Sequence, residues 1–248
     1  MEKAIRSILI RVLGFETYLR LVSRIYLRMV LAGLLKKKYP ELFYLKQLIK
    51  PGFVCIDVGA NVGYYTVFMS RFAGKNGHVY AVEPVELFTR IFRANTQAFG
   101  LNNITLHHTA LGGSAGEVVM GTPVINGVLR HGLTHVLTEG EDRTGMQCYE
   151  VPMQVPDILF ATLSKIDFIK CDVEGYEVYL FPHLMNTLRK HKPVLQIEIS
   201  GSRNIETMLN ILEPIGYKPH GLQNGSLILL QKQEALQWQH DFYFIAQN

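Results

Sequence analysis

The stretch Val54-Cys55-Ile56-Asp57-Val58-Gly59-Ala60-Asn61-Val62-Gly63-Tyr64-Tyr65-Thr66 decides the fold. A short apolar run over Phe53–Val58 carries an acid near its end, passes through Gly-x-Asn-x-Gly, and enters a helical pattern over Val62–Phe72. Glycines at 59 and 63 allow a sharp turn and a close approach of backbone to ligand, since glycine has no Cβ. The helix that follows presents N–H groups with no partner of their own. Open α/β sheets bind ligands beyond the carboxyl ends of their strands. Asp57, Gly59, Asn61 and Gly63 are therefore candidate ligand-binding residues.

The next strand, His78–Glu83, ends in an acid 20 residues after Gly63. Such an acid accepts hydrogen bonds from the ribose hydroxyls of an adenosine ligand. Pro84 stops the strand and aims Glu83. Two details argue against a nicotinamide dinucleotide. The pattern Gly-x-Gly-x-x-Gly would need glycine where Asn61 and Tyr64 stand. Asp57 would also repel a pyrophosphate, whereas it favours the amino and sulfonium cations of S-adenosylmethionine. S-adenosylmethionine is the expected cofactor. The rival readings are a nicotinamide-dependent oxidoreductase and a non-catalytic, S-adenosylmethionine-binding or membrane-attached partner protein.

Beyond this point strands and helices alternate. A helix is expected over Val85–Phe99 and a strand over Ile104–Thr109. Strand Ile166–Cys171, helix Glu174–Lys190, strand Val194–Ile199 and helix Ile205–Leu212 follow. Ser226–Leu230 and Phe242–Ala246 read as a closing antiparallel pair. Such alternation predicts an α/β fold with a mostly parallel sheet covered on both faces. Residues 111–150 break the rhythm with eight glycines. A long irregular insert in a compact domain is usually functional, and this one is read as short hairpins and a flexible lid over the site.

A second chemical motif is Ile166-Asp167-Phe168-Ile169-Lys170-Cys171-Asp172-Val173-Glu174-Gly175-Tyr176-Glu177. Asp172 is the candidate base, or a helix N-cap. Glu174 and Glu177 fall in the expected first turns of the next helix, where acids complement the dipole. Lys170 is costly inside a strand unless paired. Glu198, in the apolar run Leu195–Ile199, needs a partner or a cavity, and Lys170 is its expected partner if the strands are neighbours. Catalytic candidates are thus Asp172, Lys170, Glu174 and Glu198. The histidines, including His131 and His135, show no zinc-like spacing, and no metal site is assigned.

The net charge of +4 hides an asymmetry. Residues 1–40 hold nine Lys/Arg and two acids, a local charge of +7 that leaves −3 for the rest. A slightly acidic body excludes a nucleic-acid enzyme with a broad basic face. Residues 3–38 read as one or two helices, broken at Gly14, with Arg20, Arg24 and Arg28 along one face. This face packs on the domain, on a second copy in a homodimer, or peripherally on an anionic membrane. The apolar run Met29–Leu35 is far below the roughly 20 residues of a membrane span. Arginines interrupt any signal-peptide core. Three cysteines without close spacing point to a reducing compartment. The expected location is cytoplasmic, with peripheral contact at the inner membrane face through residues 1–38. The expected domains are a basic amphipathic segment, 1–50, and a cofactor-binding domain, 51–248.

At these motifs the chain resembles the FkbM family of S-adenosylmethionine-dependent methyltransferases. The matching text is Asp57–Gly63, Val82-Glu83-Pro84, Thr109-Ala110-Leu111, Phe168–Glu177 and Ile197-Glu198-Ile199, within roughly residues 50–200. Cys171 stands where such proteins usually have isoleucine, and Val155-Pro156-Asp157 where they usually have Leu-Asp-Asp. The resemblance implies a class I methyltransferase fold, Rossmann-like, with seven strands. It implies cofactor contacts from the Asp57–Gly63 turn, Glu83, Pro84 and Ala110. It further implies O-methylation of a sugar, glycan or other natural-product hydroxyl.

Overall fold

Five short runs form the parallel part of the main sheet, four of them largely buried and the edge run Ile104–His107 half-buried. They are β1 (Val54–Val58), β2 (His78–Val82), β3 (Ile104–His107), β9 (Phe168–Cys171) and β10 (Val194–Ile197). Between β3 and β9 lie β4 (Ala110–Leu111), β5 (Gly116–Ile125), β6 (Val128–Leu129), β7 (His135–Val136) and β8 (Met146–Gln154). The chain closes with β11 (Tyr217–Gln223), β12 (Ser226–Leu229) and β13 (Phe242–Ala246). The helices are α1 (Glu2–Leu13), α2 (Phe15–Leu31), α3 (Pro40–Leu48), α4 (Tyr64–Ala73) and α5 (Glu86–Ala98). After the insert come α6 (Pro156–Leu159), α7 (Glu177–Leu180), α8 (Met185–His191), α9 (Ser202–Leu212) and α10 (Lys232–Gln237). The computed structural model describes residues 2–247, with the side chains of all but residues 2–5 and 7. The expected charge at Lys3 thus lies outside the described side chains.

The main sheet has the order β12-β11-β13-β10-β9-β1-β2-β3. The first two connections run from β1 outward to β3; the chain then returns to β9, on the other side of β1, and continues to β10. The order therefore reverses between β1 and β9, the place where open sheets leave a crevice. Helices cover both faces. Cys55, Val79 and Phe168 pack on α3 and α4 through Leu45, Val67 and Met69. Ile56, Ile169 and Ile197 face the opposite way, onto Leu188 of α8 and Met208 of α9. Leu27 and Val30 of α2 join the first of these clusters, so the N-terminal segment shares a core with the sheet.

Four expectations need correction. The main sheet has eight strands, one beyond the expected seven. The closing strands do not pair with each other; both pair with β11, a strand not expected from the sequence. Pro219 is paired with Phe244, and Gly221 makes room for Trp238, whose ring would lie 2.3 Å from a Cβ there. The helix expected over Glu174–Lys190 is broken into α7, a 3-10 turn at Phe181–His183, and α8. Proline at 182 and a left-handed Glu174 (φ +53°) prevent a continuous helix. Finally, residues 111–150 contain one short hairpin, Val124↔Leu129 and Ile125↔Val128, but are dominated by a longer ladder. β5 and β8 pair over eight positions, from Gly116↔Met153 to Pro123↔Met146, and a second sheet forms around them.

Candidate active site at the sheet's switch point

The two loops that leave the sheet at the switch point are Gly59–Gly63, after β1, and Asp172–Tyr176, after β9. Asp172 N–H donates to the Val58 carbonyl (3.1 Å), and Gly59 and Ala60 N–H donate to Val82 (3.1 and 3.0 Å). Gly59 has φ +80°, Asn61 +49° and Gly63 +90°. These left-handed residues fold the loop back over the strand end, a conformation open to glycine and tolerated by asparagine.

Around these loops lies a cavity of about 400 Å³. Asp57, Gly59, Asn61, Glu83, Pro84 and Ala110 all line it, as do Lys170, Asp172 and Glu174. Gly63 does not; it starts α4 and packs on Phe92, 3.1 Å from where a Cβ would stand. Glu198 also stands outside the walls. It follows the last residue of β10, is exposed, and its N–H donates to the Cys171 carbonyl (3.1 Å).

Glu83 is buried and spends both carboxylate oxygens on backbone. Oε2 accepts from Asn61 N–H and Oε1 from Val85 N–H, each at 2.8 Å. Burial lifts its pKa to about 7, against the pull of those two N–H groups. Asp57 accepts from the Thr66 hydroxyl at the start of α4. Its pKa is pushed up to about 6, chiefly by burial.

Lys170 lies across the strand boundary from Asp57 on one side and Gln196 on the other. The buried ammonium sits 3.4 Å from Asp172 Oδ2 and 3.8 Å from Asp241 Oδ2, and 4.9 Å above the Tyr65 ring. Burial alone would lower its pKa, but Asp172 and Asp241 outweigh that and hold it protonated. Gln196 Nε2 donates to the same Asp241 oxygen (2.6 Å). The expected partnership of Lys170 with Glu198 is thus corrected. The strands are neighbours, but the ion-pair partners are Asp172 and Asp241. Glu198 is nonetheless pushed above the usual carboxylate range, chiefly by the charge of Asp172.

Asp172 does not cap a helix, because no helix begins there. The turn N–H groups of Val173 and Gly175 are taken by Glu177 (3.0 and 3.4 Å). This leaves the Asp172 carboxylate beside the cavity with the Lys170 ammonium behind it. Glu174 is raised to about 7 by burial and by the charge of Asp172.

Several wall residues carried no sequence signal. His131 meets Asn61 twice: its carbonyl accepts from Asn61 Nδ2 (2.8 Å) and its Nδ1 pairs with Asn61 Oδ1 (2.9 Å). Burial lowers His131 to about 4, so it is neutral near pH 7. Tyr26 of α2 and Tyr39 close another side, with Tyr26 packed edge-on against Tyr39 and Tyr64. Asp241 had no signal because it merely precedes an apolar run.

The methyltransferase FkbM domain matches residues 57–219, well over half of the chain. The fold superposes on the crystal structure of Methyltransferase FkbM from Methylobacillus flagellatus KT with a TM-score of 0.51 at 14% identity, over 80% of this chain and 48% of that one. A putative rRNA-methylase from Clostridium thermocellum gives a TM-score of 0.51 at 10% identity, over 83% and 91% of the two chains. A protein-L-isoaspartate O-methyltransferase from Methanosarcina mazei is 36% identical over 55 residues, 22% of this chain and 23% of that protein. The chain spans about a quarter of the length of the curated relatives it matches. The structural likeness is one of fold, a class I methyltransferase sheet, and the extent of the domain match settles the family: the chain belongs to the methyltransferase FkbM domain family.

Proposed function

We propose that the protein transfers the methyl group of S-adenosylmethionine to a hydroxyl of a glycan or other natural-product acceptor. The observation that carries this reading is the placement of Asp172. It lies at the switch point, on the wall of the cavity formed by the Gly59–Asn61 turn and Glu83. The walls suit a cationic ligand. Asp57, Glu83, Asp172 and Glu174 face one lysine, and that lysine is already held by Asp172 and Asp241. Gly59 lets its turn close against the Asp172 backbone, where a side chain would hold the two loops apart.

In this reading Asp57, Gly59, Asn61, Glu83, Pro84 and Ala110 hold the cofactor. When bound, S-adenosylmethionine supplies an already activated methyl group. The chain's own task is then to align the acceptor oxygen and to accept its proton. Asp172 accepts that proton. Lys170, 3.4 Å from Asp172 Oδ2, fixes the carboxylate in direction. Tyr26, Tyr39 and Tyr64 wall the site with aromatic surface and exclude water. Glu174, lifted to about 7, is placed to pass the proton outward.

The test separates binding from chemistry. Calorimetry with S-adenosylhomocysteine is expected to give a clear heat, and labelled cofactor with a panel of glycan acceptors a labelled product. Asp172→Asn is expected to bind S-adenosylhomocysteine nearly as well as the parent and to lose turnover by roughly 10²–10⁴-fold, the scale of a lost general base. Undiminished turnover in Asp172→Asn would remove the base assignment. Binding of NAD without S-adenosylhomocysteine would remove the whole reading.

A further inference from the structure

A second cavity adjoins the site cavity at His131. Tyr64, His131 and Gly132 line both, and the second has a volume of about 540 Å³. This second space runs between the N-terminal helices and the insert. Phe15, Leu19 and Val22 of α2 form one side; Ile125, Val128 and Leu133 of the insert form the other. Its charged lining residues are Arg6 and Arg130, and the Nε of each is buried with no hydrogen-bond partner. Among the described residues no carboxylate lines it.

The surface outside has the same character. Val12 of α1 is 74% exposed, and Leu21 and Ile25 of α2 are 49% and 47% exposed. Leu21, Ile25 and Met29 follow each other at four-residue steps, a stripe along one helix face. Tyr26 points the other way, into the site. Arg11, Arg20 and Arg28 are exposed between these residues, and no ion pair involves them among the described residues. A contiguous apolar face marks an interaction surface. Two copies meeting on it would bring two +7 segments together, whereas an anionic lipid surface complements both its charge and its apolar stripe.

We propose that the second cavity holds the hydrocarbon chain of an anionic, membrane-borne amphiphile, and that the hydroxyl presented to Asp172 belongs to that molecule's head group. The head-group clause rests on the methyl-transfer reading; occupancy of the groove does not. The apolar walls take the chain, Arg6 and Arg130 take the anionic group, and the α1–α2 face rests on the membrane from which the molecule is drawn. The junction at Tyr64, His131 and Gly132 joins groove to site.

The full chain is titrated with decyl phosphate below its micellar concentration, with inorganic phosphate as the comparison. Decyl phosphate is expected to bind and inorganic phosphate not to. Val22→Asp and Leu133→Asp, both at partly exposed positions and so compatible with folding, are each expected to weaken binding about tenfold or more, since a charge enters an apolar groove. Arg130→Gln is expected to weaken decyl phosphate as well. All three should bind S-adenosylhomocysteine as the parent does, which keeps failure of the groove distinct from failure of the methyl-transfer reading. The parent should also float with vesicles containing about 30 mol% phosphatidylglycerol and not with pure phosphatidylcholine, because the attraction is electrostatic. Absence of decyl phosphate binding, equal binding of inorganic phosphate, or a dimer that ignores the vesicles would each overturn the proposal.

Discussion

A side-chain carbon on Gly59 would lie 1.9 Å from the carbonyl oxygen of Asp172. The glycine turn after β1 and the acidic turn after β9 therefore meet backbone to backbone, with no room for adjustment. Gly59→Ala must push the two apart, and it also places a Cβ at φ +80°. We expect a loss of stability of about 2 kcal/mol or more. We also expect weaker S-adenosylhomocysteine binding and lower turnover together, because one displacement moves both loops. Denaturant unfolding and calorimetry check this; an alanine variant equal to the parent in both would contradict the close approach.

Removing the buried ammonium should be more damaging than removing one of its acids. Lys170→Met leaves Asp172 and Asp241 facing each other without a counter-charge. The expected cost is about 3–5 kcal/mol, the range for breaking a buried ion pair from one side. Adding Asp241→Asn to that variant should restore part of the loss, because one uncompensated charge is then gone. Urea unfolding of the single and double variants gives the comparison, and a double variant no more stable than Lys170→Met would deny Asp241 its electrostatic part.

Glu83 gives the apo protein a pH signature. Its folded pKa is raised to about 7, above the ordinary value of 4.5. The folded state holds a proton that the unfolded chain releases. The resulting stabilisation is complete below about pH 4.5 and is lost as pH rises to about 7. Glu83→Gln has no such proton to lose. Relative to that variant, the parent should become less stable by roughly 1–3 kcal/mol between pH 5 and 7.5. His131, lowered to about 4, acts in the opposite direction as pH falls below 6.5, but equally in both proteins, so it cancels. A pH-independent difference in melting temperature would show that Glu83 ionises freely.

The parallel core was legible because its determinants are local. β1, β2, β9 and β10 are short apolar runs with turn residues at their ends, and Asp57, Glu83 and Asp172 stand at or just beyond those ends. What sequence reading missed depends on distant partners. β11 carries a proline and a glycine that speak against a strand until Phe244 and Trp238 are placed beside them. The long β5–β8 ladder is spelled in glycine-rich sequence whose register comes from pairing across more than 20 intervening residues. Lys170 showed that it needed an anion, but not that Asp241, 71 positions later, would supply one of the two. His131 became part of the wall through Asn61, and nothing in a glycine-rich neighbourhood announces that contact.

The chain has a single tryptophan, Trp238, seated on Gly221. Its indole N–H donates to the backbone carbonyl of Asp241 (3.2 Å), the residue whose carboxylate holds Lys170. The molecule therefore carries a built-in fluorophore two links from the buried ammonium. Emission excited at the red edge of the indole band comes from this one position, free of the tyrosines that wall the site. It reads the footing beneath Lys170 rather than the cavity above it, so spectral shifts on unfolding would date the release of that footing against the melting of the rest of the sheet.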